Sequence, residues 1–191
     1  MMTLYDFLRA GHVKRWHIVN TANTQSIAEH SFLVAMIAMH LHNEIDPLSE
    51  TDTTDTGVYA LFHDITEVRT GDIPTPAKKF AREMMCGPDD DIFSRMESTL
   101  LPYTPFLDDH PSDITLACVK MADVIEAAHW ISENGMGKHA ELVYQKCWQK
   151  VKDLVHEYDT YGQYRWYDAV NKILMALGMP YISRDERISP P

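Results

Sequence analysis

Cysteine is scarce in this chain: three residues in 191, Cys86, Cys118 and Cys147, with no paired spacing. A disulfide framework is thereby excluded, and the three read as reduced, partly buried side chains of a cytoplasmic protein. No run of about 18 uncharged apolar residues is available to span a membrane. Asp6 and Arg9 interrupt the short apolar segment near the start, so a signal-peptide pattern is missing as well. Positive charge is also in short supply. Seventeen Lys and Arg against 28 Asp and Glu leave a net charge of −11. A nucleic-acid polymer is therefore not an expected partner, because phosphate backbones are held by extended basic surfaces. There is no internal repeat, no low-complexity segment, and nowhere the alternation of apolar and polar residues that marks a half-buried strand.

What is present suits one helical domain over residues 1–191, with 45% apolar residues and enough length to bury a substantial core. The fold class expected is all-α. Ser26-Ile27-Ala28-Glu29 has the form of a capping box. It opens an apolar helix through Phe32, Leu33, Met36, Ile37, Met39 and His40 that ends near Asp46-Pro47. Residues 49–56 read as loop and 58–68 as a second helix carrying His63, Asp64 and Glu67. Pro74 and Pro76 suit the first turn of a third helix, closed by Gly87-Pro88. A fourth is expected over 89–101. Ser112-Asp113 caps a long helix that stops at Asn134-Gly135, and two more follow over about 138–158 and 164–177.

The chemistry concentrates in a few places. His63 and Asp64 are adjacent in the run Tyr59-Ala60-Leu61-Phe62-His63-Asp64-Ile65-Thr66-Glu67, with His30 upstream and Asp123 downstream. Imidazole nitrogen and carboxylate oxygen together suit Zn²⁺, Mn²⁺, Fe²⁺ or Co²⁺, and helical bundles build such centres from several converging faces. On a continuous helix His63 and Asp64 stand about 100° apart with Glu67 one turn on, so all three share a face. Lys120 lies one turn before Asp123. A divalent ion there lowers the pKa of coordinated water and polarises a phosphoryl oxygen. Glu67 then suits orienting water or shuttling a proton, and Asp72 is a second carboxylate for that work. Basic residues at Lys14-Arg15, Lys78-Lys79 with Arg82, and Lys120 fit a small anionic substrate in a local pocket.

These residues, with Arg15-Trp16, Ala28-Glu29-His30-Ser31, Thr70-Gly71-Asp72-Ile73-Pro74-Thr75-Pro76 with Lys78, and Val119-Lys120-Met121-Ala122-Asp123, make the chain resemble the HD-domain phosphohydrolases. Within them it resembles the compact group containing the phage dATP triphosphohydrolases and the bacterial 5′-deoxynucleotidases. The resemblance implies that His30, His63, Asp64 and Asp123 hold one catalytic divalent metal ion per subunit, Zn, Co or Mn. It implies that Glu67 and Asp72 serve the water and the leaving group, that Arg15, Lys78 and Lys120 hold phosphate, and that Trp16 packs on the sugar or base. Ile18, an apolar residue two positions after Trp16, resembles the phage enzymes. Set against the base edge, it disfavours a purine with a 2-amino group. The expected activity is hydrolysis of dATP, with dADP and dAMP, to deoxyadenosine. The alternative is a 5′-deoxynucleotidase acting on monophosphates. The resemblance further implies a homo-oligomer, in the host cytoplasm if phage-encoded.

Plainer readings cover the rest. His12, His17, His40, His42, His110, His129, His139 and His156 read as surface or core residues, with His17 notable for its nearness to Trp16. Met36, Met39, Met84, Met85, Met96 and Met121 read as core filling, and Asp89-Asp90-Asp91 as an acidic helix start. The aromatic stretch Tyr161, Tyr164, Trp166 and Tyr167 fits either a subunit interface or core. A di-iron oxygenase or two-metal phosphodiesterase requires further bridging histidines, which are not evident. A non-enzymatic interaction protein has no need of an intact ligand set.

Overall fold

The structure, a computed structural model, describes residues 2–47, 53–84, 111–161 and 165–184. Among these residues there are helices and two isolated bridges, Lys14 to Ser26 and Thr21 to Gly135, but no strand. The helices are α1 (Leu4–Leu8), α2 (Ile27–Ile45), α3 (Thr53–Phe62), α4 (Glu67–Thr70), α5 (Thr75–Met84), α6 (Asp113–Asn134), α7 (Gly137–Tyr161) and α8 (Trp166–Ala176), with a 3₁₀ turn at Arg9–Gly11.

Helix α2 is the centre of the packing, in contact with α3, α6 and α8, while α7 closes over α6 and α8. Ser26 starts α2 as its sequence suggests: its hydroxyl accepts from the Glu29 amide at 3.2 Å, and Glu29 Oε2 accepts from the Ser26 amide at 2.7 Å. The face then buried carries Val34, Ala35, Ala38 and Leu41. It meets Cys118, Met121, Ala122 and Ile125 of α6, and Val170 and Leu174 of α8. Each fully buried Val, Leu, Ile or Met side chain among these contributes roughly 1.5–3 kcal/mol from burial. Ser112 caps α6, accepting from the Thr115 amide at 3.2 Å. Gly57 lets α3 approach α2, since a Cβ at that position lies 2.5 Å from Met39 Sδ.

A smaller apolar cluster joins Met2, Ala10 and Ile27 to Ile65 and Val68, so the N-terminal segment packs against the chain that follows α3. The loop after it is tied to the end of α6. Ala22 N–H donates to Asn134 O at 2.8 Å, Met136 N–H to Asn20 O at 2.9 Å, and Asn23 Nδ2 to Asn134 Oδ1 at 2.8 Å.

The chief departure from the expected elements lies at 58–68. Helix α3 begins earlier, at Thr53, and ends at Phe62, so His63 and Asp64 occupy a series of turns before the short α4. The cause is local. His63 Nδ1 donates to Ala60 O at 2.6 Å, occupying the carbonyl to which the Asp64 amide bonds in a continuing helix. The chain closes instead through tighter turns, Ile65 N–H to Phe62 O at 3.0 Å and Glu67 N–H to Asp64 O at 3.0 Å. Trp166 and Tyr167 are core residues, which resolves their part of the aromatic stretch. Met121 fills the core as expected, whereas Met36 and Met84 are exposed. The helix expected at 89–101, its preceding Gly87-Pro88 stop, Cys86, Met85, Met96 and His110 lie outside the described residues.

Candidate active site

His30 projects from the first turn of α2, Asp123 from the middle of α6, and His63 with Asp64 from the turn beyond α3. His30 Nε2 lies 3.5 Å from Asp64 Oδ2 and 3.4 Å from Asp123 Oδ1, and His63 Nε2 lies 3.4 Å from Asp64 Oδ2. One ligand atom each from His30, His63 and Asp64 falls within 4.8 Å of the others, the arrangement of a possible metal site. The structure thus brings His30, His63 and Asp64 into one group, with Asp123 placed against His30.

The tautomers suit a cation. His30 Nδ1 sits 2.6 Å from Glu126 Oε2 and His63 Nδ1 sits 2.6 Å from Ala60 O, so each Nδ1 is a donor and each Nε2 presents its lone pair to the carboxylates. Both Nε2 atoms are buried with no hydrogen-bond partner among the described residues. Lone pairs facing carboxylates at 3.4–3.5 Å repel unless a positive charge lies between them. The same demand shows in the titration. In the metal-free protein, burial opposes a second proton on His30, but the facing carboxylates of Asp123 and Asp64 and the bond to Glu126 outweigh it and push the ring up to about 10. Burial likewise opposes ionisation of Asp64 and Asp123. His63 and His30 hold Asp64 below the usual carboxylate range, and His30 with Lys120 does so for Asp123. A cluster that recruits a proton this strongly suits a divalent ion, and the end of α3 adds the negative pole of a helix beside it.

Glu67, the first residue of α4, is buried against this cluster. Its Oε1 takes Lys78 Nζ at 3.1 Å, and Oε2 is buried with no hydrogen-bond partner among the described residues. Asp72 Oδ2 lies 3.5 Å from His17 Nδ1, so the histidine that drew notice beside Trp16 faces the second carboxylate. Lys120 Nζ lies 3.2 Å from Asp123 Oδ2. Glu67, Lys78 and Lys120 therefore border the cluster, and Asp72 adds its charge to the field felt by Glu67.

Arg15 and Trp16 lie on the loop preceding α2, which Arg15 N–H ties to Gln25 O at 2.8 Å. Trp16 adopts φ 63°, the left-handed region that costs a side-chain-bearing residue energy. Its ring stacks on Trp130 at a centroid distance of 5.4 Å and an angle of 6°. Ile18 is exposed on the next turn of the same loop. Three residues here escaped sequence reasoning: Gln25, Glu126 and Trp130. A signal existed for Glu126, a carboxylate one turn after Asp123 within the apolar run Val124-Ile125-Glu126-Ala127-Ala128. Gln25 and Trp130 carried none.

Residues 6–162 match the family model described as 5′-deoxynucleotidase YfbR-like. The chain is 37% identical over 146 residues to a dATP triphosphohydrolase of Salmonella phage PMBT28, covering 73% of this chain and 71% of that protein. It is 30% identical over 149 residues to a dATP triphosphohydrolase of Cyanophage S-2L, covering 78% and 80%. Among solved structures, it is similar in fold to the Cyanophage S-2L HD phosphohydrolase (DatZ) bound to dA and one catalytic Zn²⁺ ion. That match has a TM-score of 0.68 at 23% identity and covers 93% of this chain and 98% of the other.

Proposed function

The chain belongs to the YfbR-like 5′-deoxynucleotidase family, and on that footing we propose that it is a metal-dependent phosphohydrolase of 2′-deoxynucleotides. Its preferred substrate is dATP, with dADP and dAMP also taken to deoxyadenosine. Similarity to the two phage dATP triphosphohydrolases supports the substrate. The observation that carries the reaction class is the pair of buried Nε2 atoms, unpartnered among the described residues, His30 facing Asp64 and Asp123 and His63 facing Asp64.

His30, His63, Asp64 and Asp123 hold the ion, which is zinc, cobalt or manganese. When bound, it supplies Lewis acidity and a water of lowered pKa. Around it the protein's own groups divide the work. Lys78, Lys120 and Arg15 offset charge on the phosphate oxygens. Trp16, backed by Trp130, packs on the sugar or base. Cleavage at the α-phosphorus breaks its bond to the 5′ oxygen, which leaves needing a proton. Glu67, a buried carboxyl pushed up to about 8 in the metal-free protein, is the group placed to supply it. Asp72 supports it from the far side of the turn. A homo-oligomer in the host cytoplasm belongs to the same reading, supported by the exposed Leu4, Tyr5 and Leu8 of α1, and light scattering tests its assembly. No helix among the described residues is long and apolar enough to cross a membrane.

The deciding experiment incubates purified protein with dATP, dADP, dAMP and the other deoxynucleotides, separately with Zn²⁺, Co²⁺ and Mn²⁺, and follows nucleoside release. Conversion of dATP to deoxyadenosine is expected, and its absence with every metal removes the assignment. The description of the matched family model favours one second reading, a 5′-deoxynucleotidase. Hydrolysis confined to monophosphates, with little base preference, selects it.

A further inference from the structure

Glu126 is almost wholly buried, and among the described residues two donors bond to it while Arg15 NH1 stands nearby without a hydrogen bond. Its Oε2 lies 2.6 Å from His30 Nδ1, its Oε1 accepts from Gln25 Nε2 at 2.5 Å, and Arg15 NH1 lies 3.8 Å from Oε2. Gln25, itself 2% exposed, accepts from Trp16 Nε1 through its Oε1 at 2.8 Å. The polarity of this chain of bonds allows one solution. An indole N–H only donates, so the oxygen of Gln25 must face it and the amide nitrogen must face Glu126. Glu126 then accepts on both oxygens, and His30 donates through Nδ1. That leaves the Nε2 lone pair aimed at Asp64 and Asp123.

We propose that Glu126 is a positioning residue that fixes two parts of the site at once, the ring of metal-binding His30 and, through Gln25, the indole of Trp16. This inference rests on the metal-dependent nucleotide hydrolase reading above. The supporting groups share one helix face, Asp123, Glu126 and Trp130 of α6, spaced three and four residues apart. The stack on Trp130 and the bond to Gln25 hold Trp16 in its left-handed backbone conformation. Metal binding and nucleoside binding therefore lean on one carboxylate.

Three variants test this, with zinc affinity read by chelator competition and KM and kcat for dATP read separately. Glu126→Gln places an amide N–H against one of two donors. Its zinc affinity should fall about 10–100-fold, as loss of a partner behind a metal-bound histidine does, and its KM should rise. The exchange Gln25→Glu with Glu126→Gln reverses the central bond but again gives every donor from Trp16 to His30 an acceptor, and should recover most of both losses. Gln25→Ala leaves the Glu126–His30 bond intact, so KM should rise while zinc affinity holds. Folded Glu126→Gln protein with unchanged zinc affinity and KM overturns the proposal, as does an exchange variant no better than Glu126→Gln alone. If Glu126→Gln does not fold, Gln25→Ala decides: a KM unchanged from the parent overturns the link to Trp16. A parent protein that binds none of Zn²⁺, Co²⁺ and Mn²⁺ defeats the hydrolase reading instead, a result distinct from these.

Discussion

Lys78 Nζ lies 3.1 Å from Glu67 Oε1, and the other oxygen of that carboxylate is buried with no hydrogen-bond partner among the described residues. A single ammonium does not offset the surroundings. Burial raises the Glu67 carboxyl most, Asp64 and Asp72 add to it, and Lys78 pulls the other way, leaving it at about 8 instead of 4.5. The folded metal-free protein thus holds a proton that the unfolded chain loses between about pH 4.5 and 8. Stability must fall as pH rises through that window and level off above it. Glu67→Gln removes the titration. In chelator-treated protein its melting temperature should match the parent near pH 4.5 and exceed it at pH 8, where the difference in stability is on the order of a few kcal/mol. The same variant should keep its metal and lose about 10²–10⁴ of the rate, the usual worth of a placed proton donor. Parallel melting curves across pH would show that Glu67 holds no such proton.

Asp64 Oδ2 sits between two imidazole nitrogens, 3.5 Å from His30 Nε2 and 3.4 Å from His63 Nε2. No other carboxylate oxygen in the described structure is within 4 Å of both rings. Asp64→Ala should abolish zinc retention through gel filtration and with it turnover, while helicity stays intact because Asp64 lies in a turn outside α3. A full equivalent of zinc in that variant, measured by elemental analysis, would rule out Asp64 as a ligand.

The contrast between Asp64 and Glu126 shows what sequence could and could not reveal. Ser26 and Ser112 start their helices where their spacing foretells, because a cap is settled by residues within one turn of it. The gathering of His30, His63 and Asp64 was legible because such side chains stand in specific motifs. The break after Phe62 was not, because apolar periodicity continues through Ile65 and Val68. What stops α3 is a side chain competing for a backbone carbonyl, an event that no propensity records. Trp130 and Gln25 were illegible for another reason. Their roles arise only when the 12–25 loop is drawn against the end of α6 by bonds spanning more than 100 positions of sequence. A lone aromatic or amide carries no mark of such a partner.

Ile18 is 51% exposed on the turn that Val19 N–H closes onto Trp16 O at 2.9 Å, one turn from the stacking indole. On the proposed reading the base stands beside it, and an apolar side chain there offers no partner to a purine 2-amino group. Ile18→Gly opens space there without touching the metal set. The ratio of kcat/KM for dGTP to that for dATP should rise about tenfold, the scale of excluding one small group from an apolar pocket. Competition assays with both nucleotides measure it directly. An unchanged ratio would place base selection elsewhere.

Asp6 and Arg69 are 63 residues apart in sequence, yet their ion pair at 2.9 Å ties α1 to α4, the helix that begins with Glu67. Asp6 also accepts from the Thr3 amide at 2.7 Å and from the Thr3 hydroxyl at 2.9 Å. The Thr3 backbone bond and the Arg69 guanidinium bring its carboxyl down to about 2. Because the folded value lies below the usual 3.8, the carboxylate stabilises the fold fully above that pH, and the contribution fades as pH falls towards 2. Asp6→Asn keeps the size of the side chain and one acceptor but loses the charge facing Arg69. Its melting temperature should therefore lie below the parent's at pH 7, with the gap narrowing from about pH 4 downwards. The start of α4 is held by this tie, so the variant should also show a modest fall in kcat with metal content unchanged. A melting-temperature gap that persists undiminished at pH 2 would mean that packing around Ala10 and Val68, not the Asp6 charge, secures this end of the site.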